Sequence, residues 1–364
     1  MIKRIAAMAG LVVAFGATAV VAVAIWPERA GESGSTSTTG TEPAPLAGEE
    51  SRIPTTERSV ADSDLAPPVE PSIGTSVAAS ARRFALQPVT SPLPVRYRFK
   101  HPPAAGVLFD VKTGRILWQR HPRLEHPIAS LTKMMTALIV AQRNSPKERV
   151  MVSAKAAHTP GSATGLLPRG RKVPLEALLQ AMVMISANDA AVALAEHDGR
   201  TVTRFIKQMN RQARAMGLSC THFSTPNGLR DRNNHSCALD LAALARADLA
   251  NSRIARIAGT RYAKPRFPIR GKRLYLSNNH YFLQHGLPGL PQAEVTGLKT
   301  GFTDGAGRCY VTTARVGRRQ LGVAILDSLN PLRQVPALLR AGFVEEGAVP
   351  PLPPTGPAKR PPEG

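Results

Sequence analysis

The sequence predicts an α+β domain in which an antiparallel sheet is flanked by helices and interrupted by an all-helical subdomain. Three observations predict it. Strand-like runs cluster at both ends of one stretch, apolar residues at helical spacing fill its middle, and only residues 99–345 of the 364 carry a recurring supply of Leu, Val, Ile and Met. About 250 residues of that kind are enough to bury one large core.

Residues 1–26 open with Lys3 and Arg4, and 5–26 then runs without a charge, about long enough to cross a bilayer. A cleaved signal peptide and an uncleaved signal anchor both fit. The run exceeds the usual apolar core of a signal peptide, about 7–15 residues, whereas Ala17, Ala19, Ala22 and Ala24 keep a cleavage site available. In either case Lys3 and Arg4 stay inside and the domain is exported to the extracytoplasmic face of the membrane. Residues 27–98 are rich in Ser, Thr and Pro without periodicity, and are expected to form a disordered linker.

Within the domain, 104–110 and 115–119 flank the turn Lys112-Thr113-Gly114 and read as a hairpin. A buried helix is expected from near Ser130 to Val140, with apolar residues at helical spacing and no breaker. Pro174 is suited to the first position of a second helix, which breaks near Ser186 and resumes through Ala195. Residues 201–216 and 239–250 continue the helical region. Three strands are expected at 293–299, 308–316 and 320–326, then a last helix over 332–341 and a Pro-rich tail over 346–364. In that tail Leu352-Pro353-Pro354-Thr355-Gly356 matches a sortase-type pentapeptide. The PAKRPPEG behind it lacks the apolar segment and basic end such a signal needs.

The formal net charge is +22. No basic motif interleaved with aromatics is present, and an exported protein does not meet nucleic acid in its normal work, so no nucleic-acid partner is expected. Attraction to an anionic membrane or wall polymer and a merely solvated basic surface both remain open. Of the three cysteines, Cys220 and Cys237 bracket a polar loop and are able to close a disulfide in an exported protein, leaving Cys309 over. No CxxC or His-rich spacing is present, so no metal is expected.

Three short elements stand out in order: Ser130-Leu131-Thr132-Lys133, Ser186-Ala187-Asn188 and Lys299-Thr300-Gly301. Each alone has an ordinary explanation. Ser-x-x-Lys arises by chance in a chain of this size, Ser186-Ala187-Asn188 reads equally as a capped helix break, and Lys-Thr-Gly occurs twice. Lys112 precedes Ser130 and sits at a hairpin tip, so Lys299 is the candidate. No GxSxG elbow supports a Ser-His-Asp triad, and His222 and His235 are read as loop hydrogen-bonding residues.

Together the three elements resemble the signature of β-lactamases and penicillin-binding proteins. Pro127 to Thr136, the hairpin at 110–117, Thr221 to Leu229 and Gly297 to Thr303 are similar to the low-molecular-mass D-alanyl-D-alanine carboxypeptidases, so the resemblance covers about 104–328. It implies a β-lactamase/transpeptidase-like fold and a serine carboxypeptidase that removes the terminal D-Ala of peptidoglycan stem pentapeptides. It also implies covalent inhibition by β-lactams and no cofactor. A β-lactamase or D,D-endopeptidase of the same fold, and a non-catalytic wall-binding protein, are the alternatives.

The implied roles agree with the physics of the residues. Ser130 and Lys133 lie three apart on one helical face, so nucleophile and amine can meet. A second cation and an apolar setting lower the pKa of Lys133, which then accepts the Ser130 proton. Ser186 is expected to relay that proton to the leaving amine, and Asn188 to orient Lys133. Lys299 and Thr300 are expected to hold the substrate carboxylate, Gly301 to let the strand pass close to bound peptide, and the N–H groups of Ser130 and Phe302 to form the oxyanion hole. No Glu stands where the class A β-lactamases require one. Family members often carry a second β-rich domain and a C-terminal amphipathic helix. Membrane attachment here is expected through the N-terminal segment instead.

Overall fold

The computed structural model describes residues 83–88, 92–229 and 233–351. The apolar segment 5–26, nearly all of the expected linker and the pentapeptide 352–356 lie outside the described residues. Among the described residues no helix is long and apolar enough to cross a membrane.

Strand β1 (Ala105–Asp110) turns through 111–115 into β2 (Ile116–Arg120). A short 3-10 turn, Ala129–Thr132, leads into α1 (Lys133–Arg143). The helical region follows as α2 (Leu175–Met184), α3 (Asn188–Gly199), α4 (Val202–Ala215), α5 (Ala238–Ala250) and α6 (Ser252–Ala258). The chain returns to the sheet as β3 (Glu294–Thr303), β4 (Gly307–Val316) and β5 (Arg319–Leu326), and α7 (Pro331–Glu345) closes the domain. The sheet order is β2-β1-β5-β4-β3, with every pairing antiparallel. The first and last strands of the domain therefore meet at its centre, Ala105 facing Leu326. This is the expected α+β arrangement.

All six residues of β1 are buried, because both faces of the sheet are covered. Strand alternation sends Val107 and Phe109 into a core shared with α1 to α6, whereas Leu108 joins Leu338, Leu339 and Phe343 of α7 on the other face. Helix α4 shows how helical spacing does the same: Phe205, Met209 and Ala213 recur every four residues and are buried, while the residues between them are mostly polar.

Several boundaries differ from the sequence expectation. Ser130 lies in the 3-10 turn rather than in α1, with Ala129 before it at φ 46°. Pro174 is the N-cap of α2, not its first helical residue, because its ψ of 129° is extended. Helix α7 runs four residues past Ala341, beginning at Pro331, where a missing N–H is harmless. Strand β3 does not stop at Lys299 but pairs with β4 as far as Thr303, so Lys299-Thr300-Gly301 lies inside an edge strand.

The first Lys-Thr-Gly is a structural turn. Thr113 donates its N–H and hydroxyl to Asp110, at 2.7 and 2.9 Å, and Gly114 takes φ 80°. Arg246 of α5 donates to the carbonyls of Val111 and Lys112 at 2.9 and 3.1 Å, bolting the turn to the helical region while Lys112 itself is exposed.

Candidate active site

Helix α1 carries Lys133 into the interior, where it is 1% exposed. Its Nζ lies 2.8 Å from Ser130 Oγ, 2.7 Å from Asn188 Oδ1 and 2.8 Å from the carbonyl oxygen of Asn227. The Asn188 amide is oriented by its other end, since Nδ2 donates to the Pro160 carbonyl at 2.9 Å. Two of the three acceptors around Nζ are therefore amide oxygens that cannot donate. Only Ser130 is able to offer a proton in return. A neutral amine, with two N–H groups and one lone pair, satisfies this set with the lone pair turned to Ser130.

Electrostatics favours that neutral form. The Lys133 pKa is held well below its ordinary value, first by burial and second by the positive charge of Lys299, with Asp189 acting in the opposite sense. Lys299 is also buried, and burial brings its pKa down to about 7. The imidazole of His280, in contact with Thr312 at 3.1 Å, falls to about 4 through burial and the nearby Lys299, so it is neutral at pH 7. Two basic groups thus share one dry region, where burial favours the neutral form of each.

The edge strand β3 lies against the nucleophile turn, and Gly301 is the point of closest approach. A Cβ on Gly301 would stand 2.9 Å from the Ile128 carbonyl oxygen and 3.0 Å from Ser130 N. The expectation was room for bound peptide; the neighbour that needs the room is the turn carrying Ser130. On the opposite side Gly228, at φ 76°, leaves space that a Cβ would fill to within 1.9 Å of the Ala129 carbonyl oxygen. The turn is held between two glycines. Beyond Gly301 the half-exposed Phe302 and the edge of β3 face outward, an edge to which an extended peptide can add as a strand.

Ser130, Lys133, Asn188 and the Lys299-Thr300-Gly301 strand are brought together as expected. Ser186 is different. It closes the break between α2 and α3 at φ 60°, and its buried Oγ has no hydrogen-bond partner among the described residues. Lys299 Nζ donates to the Thr300 carbonyl at 2.9 Å.

Three contributors were not picked out from sequence. Asp189 accepts from Thr164 N at 2.9 Å, Thr164 Oγ1 at 2.6 Å and Gly165 N at 3.2 Å, clasping the loop that positions Asn188. Asn234 accepts from Ser224 N at 2.9 Å and bonds Thr132 of the nucleophile turn. Asn227 acts through its backbone carbonyl. The Pro226-Asn227-Gly228 turn was the available signal, but a main-chain acceptor leaves no mark on the side-chain sequence.

Asn227 and Asn234 belong to the loop that Cys220 and Cys237 close with a disulfide, leaving Cys309 free and buried. His222 and His235 serve that loop, His222 Nδ1 meeting the Asn233 carbonyl at 2.9 Å. Cys220, Cys237 and Asp240 form the only group of three ligand-type side chains drawn together among the described residues, and the disulfide consumes both sulfurs. Reduction of the disulfide, which spans 17 residues of sequence, is expected to lower the stability by about 3 kcal/mol, read from urea unfolding with and without a phosphine reductant.

The sequence and the fold have counterparts in known proteins. The chain is 29% identical over 236 residues to the D-alanyl-D-alanine carboxypeptidase DacF of Bacillus subtilis, covering 64% of this chain and 59% of that protein. It is 28% identical over 253 residues to a D-alanyl-D-alanine endopeptidase of Escherichia coli, covering 68% of this chain and 79% of that one. The fold superimposes on the D-alanyl-D-alanine carboxypeptidase of Mycobacterium tuberculosis H37Rv with a TM-score of 0.63 and 26% identity, over 72% of this chain and 98% of the other. The match therefore spans about three-fifths of the length of the Bacillus enzyme. The family model for D-alanyl-D-alanine carboxypeptidases, Peptidase S11, matches residues 98–330. That range takes in all five strands and all three motifs, and on it the chain belongs to the D-alanyl-D-alanine carboxypeptidase family of serine peptidases.

Proposed function

We propose that this protein is a serine D-alanyl-D-alanine carboxypeptidase that trims peptidoglycan stem pentapeptides through an acyl-enzyme on Ser130. What carries the proposal is the buried Lys133 amine 2.8 Å from Ser130 Oγ, with its two N–H groups directed to Asn188 and Asn227. Ser130 Oγ bonds to the carbonyl carbon between the last two D-alanines while its proton passes to Lys133. The N–H groups of Ser130 and Phe302 receive the developing oxyanion. The C–N bond then breaks, the leaving amine takes a proton relayed by Ser186, and water releases the acyl group. Lys299 and Thr300 hold the terminal carboxylate. No cofactor takes part in these steps.

Incubating the full chain with a stem pentapeptide tests this. Release of one D-Ala per peptide, followed by mass spectrometry, is expected; an intact pentapeptide with an active preparation of a known carboxypeptidase alongside would overturn it. The endopeptidase reading is favoured by one observation, a match covering 79% of the Escherichia coli endopeptidase against 59% of the Bacillus carboxypeptidase. Cleavage of cross-linked dimers faster than pentapeptide would select it. For localisation, the apolar segment 5–26 supports export with the domain outside the membrane, either anchored or released.

The charge state of Lys299 sets a pH dependence. Its cation is present below about 7 and lost above it in the free enzyme, so carboxylate-terminated substrates bind more weakly as pH rises through that value. Bound carboxylate favours the cation and raises the pKa. The alkaline limb of kcat/KM is therefore expected near pH 7 and that of kcat at higher pH, in steady-state profiles with a stem peptide.

A further inference from the structure

The +22 charge is not evenly neutralised across the surface. Some arginines are matched with carboxylates: Arg253 and Arg256 with Glu176, Arg143 with Asp198, Arg319 with Glu346. A concave cleft of about 540 Å³ gathers cations without such partners. It lies between the segment around Arg149 and Pro174 and the hairpin 262–277, and is lined by Arg149, Arg266, Lys272 and Arg273 over Phe267 and Pro268. The stretch 261–275 contains six basic residues and no carboxylate. Among the described residues none of the four lining cations makes an ion pair.

Two features set this cleft apart from a solvated basic face. Arg149 donates to the Lys172 carbonyl at 2.7 Å and Arg273 to the Lys264 carbonyl at 3.0 Å. A carbonyl holds a guanidinium in place without cancelling its charge, so both forks are pre-set to receive an anion. Arg266 and Arg273 also form an antiparallel bridge, placing like charges directly opposite each other. Such a pair destabilises a hairpin unless an anion lies between them.

We propose that this cleft binds a linear polymer of phosphodiesters, of the polyol-phosphate kind found in cell envelopes, separately from the acyl-transfer site. Guanidinium forks match tetrahedral phosphate bidentately, and spaced cations match repeated single charges. A concave cleft admits a chain where a flat lipid surface would meet only its rim. Exposed Tyr262 and Tyr275, the latter with Lys264 5.7 Å from its ring centre, lie on the same hairpin and offer flat faces to the polyol units. The proposal does not depend on the peptidase reading.

The test is fluorescence anisotropy of a labelled poly(glycerol phosphate) oligomer titrated with the full chain in neutral detergent. Saturable binding is expected, weakening at least about tenfold between 50 and 200 mM salt. The double variant Arg266→Glu with Lys272→Glu, whose side chains make no hydrogen bond that the hairpin needs, is expected to bind at least tenfold more weakly. It should keep the parent's circular dichroism spectrum and unfolding temperature, which certifies the fold. A control variant, Lys207→Glu with Arg211→Glu and Arg214→Glu on α4, is expected to bind the oligomer as the parent does. Absence of saturable binding, or equal weakening in the control, would overturn the proposal, the second by showing general attraction to net charge. Tighter binding to phosphatidylglycerol vesicles or to duplex DNA would also overturn it, in favour of a membrane or nucleic-acid partner.

Discussion

Full-length protein treated with a labelled penicillin is expected to carry one covalent label, on the peptide containing Ser130, and Ser130→Ala is expected to carry none. The effect is all-or-none because the adduct is an ester of that hydroxyl, and no neighbouring group can replace it. Among the described residues, removing the hydroxyl costs no hydrogen bond but the one to Lys133, so the variant should unfold at nearly the parent's temperature. The label should also persist. Unlike D-Ala, the amine of an opened β-lactam stays tethered beside the ester and blocks the attacking water, and the carboxylate next to the site, Asp189, already accepts from Thr164, Gly165 and Ala190. Rapid turnover of penicillin would select the β-lactamase alternative. A label that survives Ser130→Ala would overturn the mechanism.

Replacing Lys133 is expected to slow acylation by about 10²–10⁴-fold, the usual effect of losing a general base. Lys133→Ala removes the donor from two buried acceptors, Asn188 Oδ1 and the Asn227 carbonyl, which costs about 1–3 kcal/mol for each group left unpaired. It also removes a desolvated amine, an opposing gain. Lys133→Arg is the sharper variant, because a guanidinium keeps the charge but does not release its proton. If Lys133 acts as the base, both variants lose acylation; if it supplies only positive charge, Lys133→Arg retains it. The pH profile gives an independent reading. The amine must be neutral, so the parent's acylation rate rises with pH through the depressed Lys133 pKa and that limb disappears in both variants.

The same shifts bear on stability. The unfolded chain binds protons at Lys133 and Lys299 up to their ordinary values, whereas the folded protein gives them up earlier. Between the folded and unfolded pKa values the unfolded state holds more protons, so the contribution of these groups to stability rises with pH, for Lys299 from about 7 upward. At pH 7 and below, the buried Lys299 cation is a cost that the rest of the core offsets.

The sequence by itself determined the α+β order of elements, because strand alternation and helical spacing are written within a few residues of each other. It also determined the Ser130 and Lys133 pair, since three residues of helical or 3-10 backbone bring the two side chains together whatever surrounds them. The disulfide was legible as far as the two cysteines able to make it. Only tertiary structure decided what makes Lys133 a base. Its partners Asn188 and Asn227 lie 55 and 94 residues away, and its burial comes from helices that have no local sequence signal for that purpose. The choice between two Lys-Thr-Gly runs was argued from order, and packing gave its reason: Arg246 ties down the first, while the second runs inside an edge strand against the nucleophile turn. A proton's affinity for an amine is set by the water removed and the charges brought near. Both are properties of the assembled core, which no short stretch of sequence contains.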